Sequence, residues 1–303
     1  MKKLAYILIV LSLGTLLTAG EKLYPVRKSA GEPRPLQARG KKADEVARVV
    51  PHMAVNSEWT SELIIRSDSG QYVQNLRLEF YDSYGQLVIA TFYDSFGDMY
   101  TTDIFGIPDL QPGEVYALDF DALAGGVRNM QVHVVTDEFD VEYGLEGKYN
   151  RFLNGAKIAA VGVPVNAPDN IFKLNLDQRY DPITGNKRFR GIAVSNVDGL
   201  DCHCNVSLFN QYGDSQDNFG TPYPTLSMSV PAFGKWVGDT YALYSDIDQL
   251  LADGLGYLLF ECDNPASVLG LAFEANTPLV TSVPVEYFVP VQAKNGRKLV
   301  KRN

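Results

Sequence analysis

From about Val50 onward, apolar and polar residues alternate in short runs separated by turn-forming residues. The segment "TSELIIRS" (60–67) fits one strand. In "VQNLRLEFYDSYG" (73–85), Leu76, Leu78 and Phe80 fall on one face and Arg77 and Glu79 on the other; this is the period-two signature of a strand. "QLVIATFYDSFG" (86–97) and "NMQVHVVTD" (129–137) continue the series. Tyr81-Asp82-Ser83-Tyr84-Gly85 recurs as Tyr93-Asp94-Ser95-Phe96-Gly97. Both read as turns, because Asp and Ser bond back to the backbone and Gly supplies a positive φ. Helical spacing is best at Ser245–Gly254, where Leu243, Ile247, Leu250 and Leu251 would face a core. Ser245 with Asp248 resembles a capping box there, and Gly254 suits the position just past the end. A second short helix around Asp44–Val49 would be marginal alone.

The order of these elements repeats. The Tyr-Gly of "YDSYGQ" (81–86) returns in "NQYGDS" (210–215), and "LQPGE" (110–114) in the turn "VPAFGK" (230–235). Asp119-Phe120-Asp121-Ala122-Leu123 matches Asp246-Ile247-Asp248-Gln249-Leu250. Apolar strands follow and end at Asp137 and Asp263, and "VGVPV" (161–165) matches "TSVPV" (281–285). Matches in conserved order predict two tandem repeats, 50–165 and 170–288, joined near Asn166-Ala167-Pro168-Asp169. Turns at roughly ten-residue spacing without long amphipathic helices predict an all-β chain of two β-sandwich domains, each with one short helix.

Composition and charge modify the ends. Lys2 and Lys3 precede the apolar run Leu4–Leu17 and the small residues Thr18, Ala19 and Gly20. This is the layout of a signal peptide over 1–20, with export to the periplasm, cell surface or medium. No second apolar run is long enough to span a membrane, so no transmembrane segment is expected after cleavage. Residues 21–49 hold three prolines and read as a flexible leader; residues 289–303 read as a basic, solvated tail. The body between the basic ends, 51–285, carries 12 Lys/Arg against 31 Asp/Glu. Such a surface excludes nucleic acid as a partner, because that binding rests on neutralising phosphates.

The opening "VVPHMAVNSEWTSELIIRS", then "RGIAVSNVDG", "LFNQYG", a Pro-Gly turn, a Leu-rich helix and the closing "TSVPV" together resemble tandem immunoglobulin-like β-sandwich modules of exported bacterial proteins of unassigned role. The resemblance covers about residues 50–287. It departs at Arg66-Ser67-Asp68, where such modules end a strand in Asn. It implies a non-enzymatic part of a surface or secreted protein.

Chemistry-bearing residues are few. Cys202-His203-Cys204 with Cys262 has a zinc-like residue set. In a strand, however, His203 points away from Cys202 and Cys204. A structural disulfide is expected instead, Cys204–Cys262 or Cys202–Cys262, and no resident metal or cofactor. The pairs Asp119/Asp121 and Asp246/Asp248 suit either calcium or a helix N-terminus. The histidines His52, His133 and His203 sit in no nucleophile–base pattern, and no phosphate-cradling loop is present. No catalytic residue is assigned. The expected function is a secreted, non-catalytic structural or interaction protein whose partner is a protein or glycan. The alternative is a carbohydrate-binding accessory protein using Trp59, Tyr84, Tyr93 and Phe96 as ligand-facing rings.

Overall fold

The computed structural model describes residues 46–67, 72–121, 129–136, 143–165, 167–217, 219–277, 280–293 and 296–301. The expected signal peptide lies outside them, as do most of the expected leader and the "ALAGGVR" stretch (122–128). The fold is nearly all β, with several antiparallel sheets. The N-terminal half runs β1 (Val46–Ala54), β2 (Trp59–Arg66), β3 (Arg77–Tyr81), β4 (Ala90–Asp94), β5 (Met99–Thr102), β6 (Ile104–Gly106), β7 (Val115–Phe120), β8 (Asn129–Val135), β9 (Gly144–Leu153) and β10 (Ala156–Pro164). The C-terminal half runs β11 (Asp169–Asp177), β12 (Arg188–Asn196), β13 (Cys202–Asn210), β14 (Leu226–Val230), β15 (Lys235–Asp239), α1 (Thr240–Leu243), α2 (Ile247–Leu250), β16 (Leu255–Glu274), β17 (Val280–Val283), β18 (Val285–Ala293) and β19 (Gly296–Lys301).

Two sheets form the N-terminal half, one ordered β1-β8-β3-β6 and the other β10-β9-β2-β7-β4-β5. Their facing side chains share one core. Leu78 and Phe80 of β3 and Val132 and Val134 of β8 meet Leu63 and Ile65 of β2, Phe92 of β4 and Leu118 and Phe120 of β7. Phe80, Phe92 and Phe120 pack as a triad with ring centroids 5.0–5.8 Å apart, within the range of favourable aromatic pairs.

In the C-terminal half the 20-residue β16 serves two sheets. Its first part pairs with β11 and β13, and its second part, from Ala266, pairs with β12 and β17. Asn264-Pro265 lies at the crossover, and the β11–β16 register shifts there. Proline suits a bend because it has no N–H to give to a ladder. The resulting orders are β14-β13-β16-β11-β18-β19 on one side and β15-β12-β16-β17 on the other. Phe172, Leu174, Val206, Leu208, Leu258 and Phe260 face Ile192, Val194 and Val268 across one core.

The face of β3 and β8 turned away from their core is also buried. The sequence pattern places Arg77 and Glu79 on this face, and Glu79 is only 3% exposed. It accepts from Arg77 Nε at 2.8 Å and from the Tyr81 hydroxyl at 2.7 Å. The C-terminal half covers it. Phe233 stacks on Tyr81 at 5.5 Å, Gln131 of β8 donates to the Phe233 carbonyl, and Ser195 of β12 donates to Gln131. Lys235 Nζ lies 3.1 Å from His52 Nδ1, and the Tyr149 hydroxyl donates to the His52 carbonyl. Val163, Ala193, Leu269 and Val280 add an apolar patch to this contact. The alternation therefore marks the strand but not the exposure of its polar face, because a second half covers it.

Helices are shorter than the pattern implied. The expected 245–254 helix is the single turn α2, and Asp246 caps it without a side-chain bond, so the Ser245/Asp248 capping box does not form. Asp239 instead caps α1, accepting from Ala242 N at 2.8 Å. Gly254 does take a positive φ, +67°. The expected helix near 44–49 is the start of β1, which pairs with β8 from Val46. The basic C-terminal stretch includes the β18–β19 hairpin, and Lys301 reaches Glu286 at 3.0 Å. Of the stretch 119–125 matched to the second-repeat helix, Asp119 and Phe120 lie in β7 and residues 122–125 fall outside the described residues.

Candidate functional site

Four turns share one local sequence: an Asx residue, any residue, an aromatic, glycine, and a closing residue. They are Asp82–Gln86, Asp94–Asp98, Asn210–Asp214 and Asp217–Thr221. In each, the first N–H donates to the last carbonyl (Asp82 to Gln86 at 3.0 Å, Asn210 to Asp214 at 2.9 Å), and the glycine N–H donates back to the Asx carbonyl. In each, one Asx side-chain oxygen accepts from the N–H two and four residues on, at 2.8–3.0 Å. The glycines lie at φ +81°, +87°, +88° and +81°. The Asx oxygen and the glycine together satisfy the tight turn, so the ring between them is not needed to make it.

These rings are nonetheless aromatic and face water: Tyr84 is 78% exposed, Phe96 42%, Tyr212 75% and Phe219 94%. Phe96 leans on Tyr116 at 6.2 Å between centroids. A fifth, longer Asp-led turn, closed by the Asp181 N–H on the Asn186 carbonyl at 2.8 Å, presents Ile183 in the same manner. Of the rings expected to face a ligand, Tyr84 and Phe96 are at such tips. Tyr93 is half-buried in β4. Trp59 packs edge-on against Tyr149 at 6.5 Å and under the Arg151 guanidinium, in the patch between the two halves. Its apolar body closes an internal seam, which is why it is not displayed. Tyr212 and Phe219 were missed as site residues. The Asx-x-aromatic-Gly spacing carried the signal, but "YDSYG" and "NQYGD" share only Tyr-Gly when compared letter by letter.

The two C-terminal turns border a shallow groove of about 80 Å³. It is lined by Tyr212, Phe219, Tyr223, Asp217, Gln249 and Asp253, bringing rings together with amide and carboxylate oxygens. Backbone N–H groups, that of Thr221 first, hold the Asp217 carboxyl below the usual carboxylate range. It is therefore ionised and committed to its turn, not poised to give a proton. The chain matches no family model, no curated protein and no solved structure.

The other groups singled out in the sequence are dispersed. His52 is half-buried between the halves; burial, then the nearby Lys235, depresses its pKa to about 3. His133 is buried beside Tyr81, at 4.7 Å between rings. His203 faces outward, its Nδ1 3.2 Å from the Asp263 carboxylate. Asp246 caps α2, and Asp248 is held by Lys187 at 2.8 Å and by the Tyr241 hydroxyl. Asp119 pairs along β7 with Glu62 and Tyr93. Cys204 sits directly opposite Cys262 on the β13–β16 ladder and is disulfide-bonded to it, with Cα atoms 4.0 Å apart. Cys202 is the free, buried thiol. Among the described residues these three cysteines are the only group of three His, Cys, Asp or Glu side chains drawn together as a metal would need. None of the described helices is long and apolar enough to cross a membrane.

Proposed function

We propose that this chain is a secreted, non-catalytic interaction protein built from two tandem immunoglobulin-like sandwiches, and that it contacts its partner through its ring-tipped turns. The observation that carries the reading is the recurrence of one turn, two copies in each half, with an exposed ring at the same position each time. Single exposed apolar residues are ordinary, but four at one structural position are a pattern. Rigid aromatic rings on short turns supply large contact area with little side-chain entropy to lose, as in binding loops generally.

The strand orders support the duplication. In the first half β1-β8-β3-β6 lies against β10-β9-β2-β7; in the second, β11-β16-β13-β14 lies against β17-β16-β12-β15. The two series correspond strand for strand, with continuous β16 standing where the first half has β8 and β9. The first ring-tipped turn of each half, Asp82–Gln86 or Asn210–Asp214, follows the strand at the same place in the order, β3 or β13. The acidic body favours a neutral or basic partner.

A second reading, a glycan ligand, is favoured by the groove beside Tyr212 and Phe219, where rings adjoin side-chain oxygens suited to sugar hydroxyls. The test replaces Tyr84, Phe96, Tyr212 and Phe219 with Ser and measures retention of the mature protein on isolated cell envelopes, beside a glycan array. Retention lost with the rings supports the proposal, and array binding lost with Tyr212 and Phe219 alone supports the glycan reading. Retention unaffected by all four substitutions sinks the proposal.

A further inference from the structure

The disulfide in β13 and β16 has a third sulfur beside it. Cys202 and Cys204 are two residues apart on β13, so both side chains enter the core, and both are fully buried. Cys202 Sγ is 3.7 Å from Cys204 Sγ, and the three Sγ atoms of Cys202, Cys204 and Cys262 all lie within 4.8 Å of one another. Reduction of Cys204–Cys262 leaves three thiols whose sulfurs start within 4.8 Å of one another, near the roughly 4 Å that three sulfurs about 2.3 Å from one ion require. We infer that Cys202, Cys204 and Cys262 form a redox-gated site for one soft thiophilic cation, closed while Cys204–Cys262 is oxidised and open once it is reduced.

The chemistry balances. A dithiol gives two electrons and two protons to the disulfide, the Cys204–Cys262 bond breaks into two thiols, and the dithiol leaves as its own cyclic disulfide. The cation then displaces the three thiol protons to solvent and forms three metal–sulfur bonds. Soft thiolate donors select ions such as Zn²⁺, Cd²⁺ or Cu⁺ over hard ones. The Asn264 carbonyl oxygen, 3.4 Å from Cys202 Sγ, lies beside the set. Geometry also argues against a disulfide swap as the purpose of the third thiol. Cys202 lies diagonal to Cys262 on the ladder, and diagonal Cα spacings of about 7–8 Å exceed what a disulfide spans.

The test titrates Cd²⁺ into the full mature chain, reduced with dithiol and desalted without oxygen, and follows thiolate charge-transfer absorbance. Circular dichroism records the fold in parallel. The expected result is one Cd²⁺ bound per chain after reduction and none before it. Cys202→Ser should bind at least tenfold more weakly, and His203→Ala, whose ring faces away, should bind as the parent does. Equal binding by Cys202→Ser, no binding by the reduced chain, a disulfide that dithiol cannot open in the folded state, or loss of the fold on reduction would each overturn the inference.

Discussion

An Asx oxygen that accepts two backbone N–H groups, followed three places on by a glycine at positive φ, makes the turn geometry nearly independent of the residue between them. Replacing the ring is therefore expected to leave stability almost unchanged, within about 0.5 kcal/mol. Replacing the glycine is not. Gly97→Ala has open space around its new methyl and is expected to cost only the left-handed backbone penalty, about 1 kcal/mol. Gly85→Ala adds a collision with the Ala232 carbonyl, because this turn packs against the other half, and should cost clearly more. Urea titrations of the two variants side by side check the contrast. Equal losses would show that the two halves do not meet at Gly85. At this scale the sequence was informative about turn chemistry, since Asp, Ser and Gly announce themselves. It was silent on which rings stay wet, because exposure depends on what lies across the turn: Trp59 and Tyr84 look alike as letters.

Strand faces decide the next level. Leu76, Leu78 and Phe80 alternate with Arg77 and Glu79, and that period placed β3 correctly. The same pattern says nothing of the cover on the second face, which the C-terminal half supplies, because burial with satisfied hydrogen bonds leaves polar letters in place. Likewise 245–254 had helical spacing but Gly254 and the start of β16 leave room for one turn only. The two pairings left open for Cys262 were resolved by register, which sets Cys204 opposite it. Without that bond the unfolded chain is no longer closed into a loop across a sequence separation of 58, so Cys204→Ser is expected to cost up to about 4 kcal/mol. Phe92→Ala, which empties the centre of the aromatic triad, should cost about 3–5 kcal/mol. Thermal unfolding with and without reductant separates the two effects, since the parent and Phe92→Ala should both respond to reductant and Cys204→Ser should not.

For the whole molecule, the contact between halves carries the pH dependence. Lys235 is 4% exposed; burial depresses its pKa to about 7, with the Asp82 carboxylate opposing. Its unfolded value is 10.5, so between about pH 7 and 10.5 the unfolded chain holds a proton that the folded chain lacks. Stability should therefore rise with pH across that window, by up to about 1.4 kcal/mol per unit, and be flat in this respect below 7. His52, lowered from 6.5 to about 3 by burial first, acts in the same direction lower down, so stability falls as pH drops from 6.5 toward 3. Burial raises Tyr81 and Tyr149 above the usual tyrosine range, which limits the rise above about pH 10. Unfolding free energies at about pH 7 and 9 for the parent and Lys235→Met test this: the variant should lose the slope and be more stable at pH 7. A slope that survives would place its origin elsewhere. None of this was legible beforehand, because no local pattern marks two residues 183 positions apart as neighbours.

The central claim is that the exposed rings on the repeated turns are the contact surface. Its most direct measurement is the dissociation constant of the mature protein on isolated cell envelopes, for the parent and for the variant with Tyr84, Phe96, Tyr212 and Phe219 replaced by Ser. The account predicts saturable binding that weakens at least about 100-fold with an unchanged unfolding transition, because each lost anchor removes a kilocalorie or more. Saturable binding of equal strength by both proteins would contradict it.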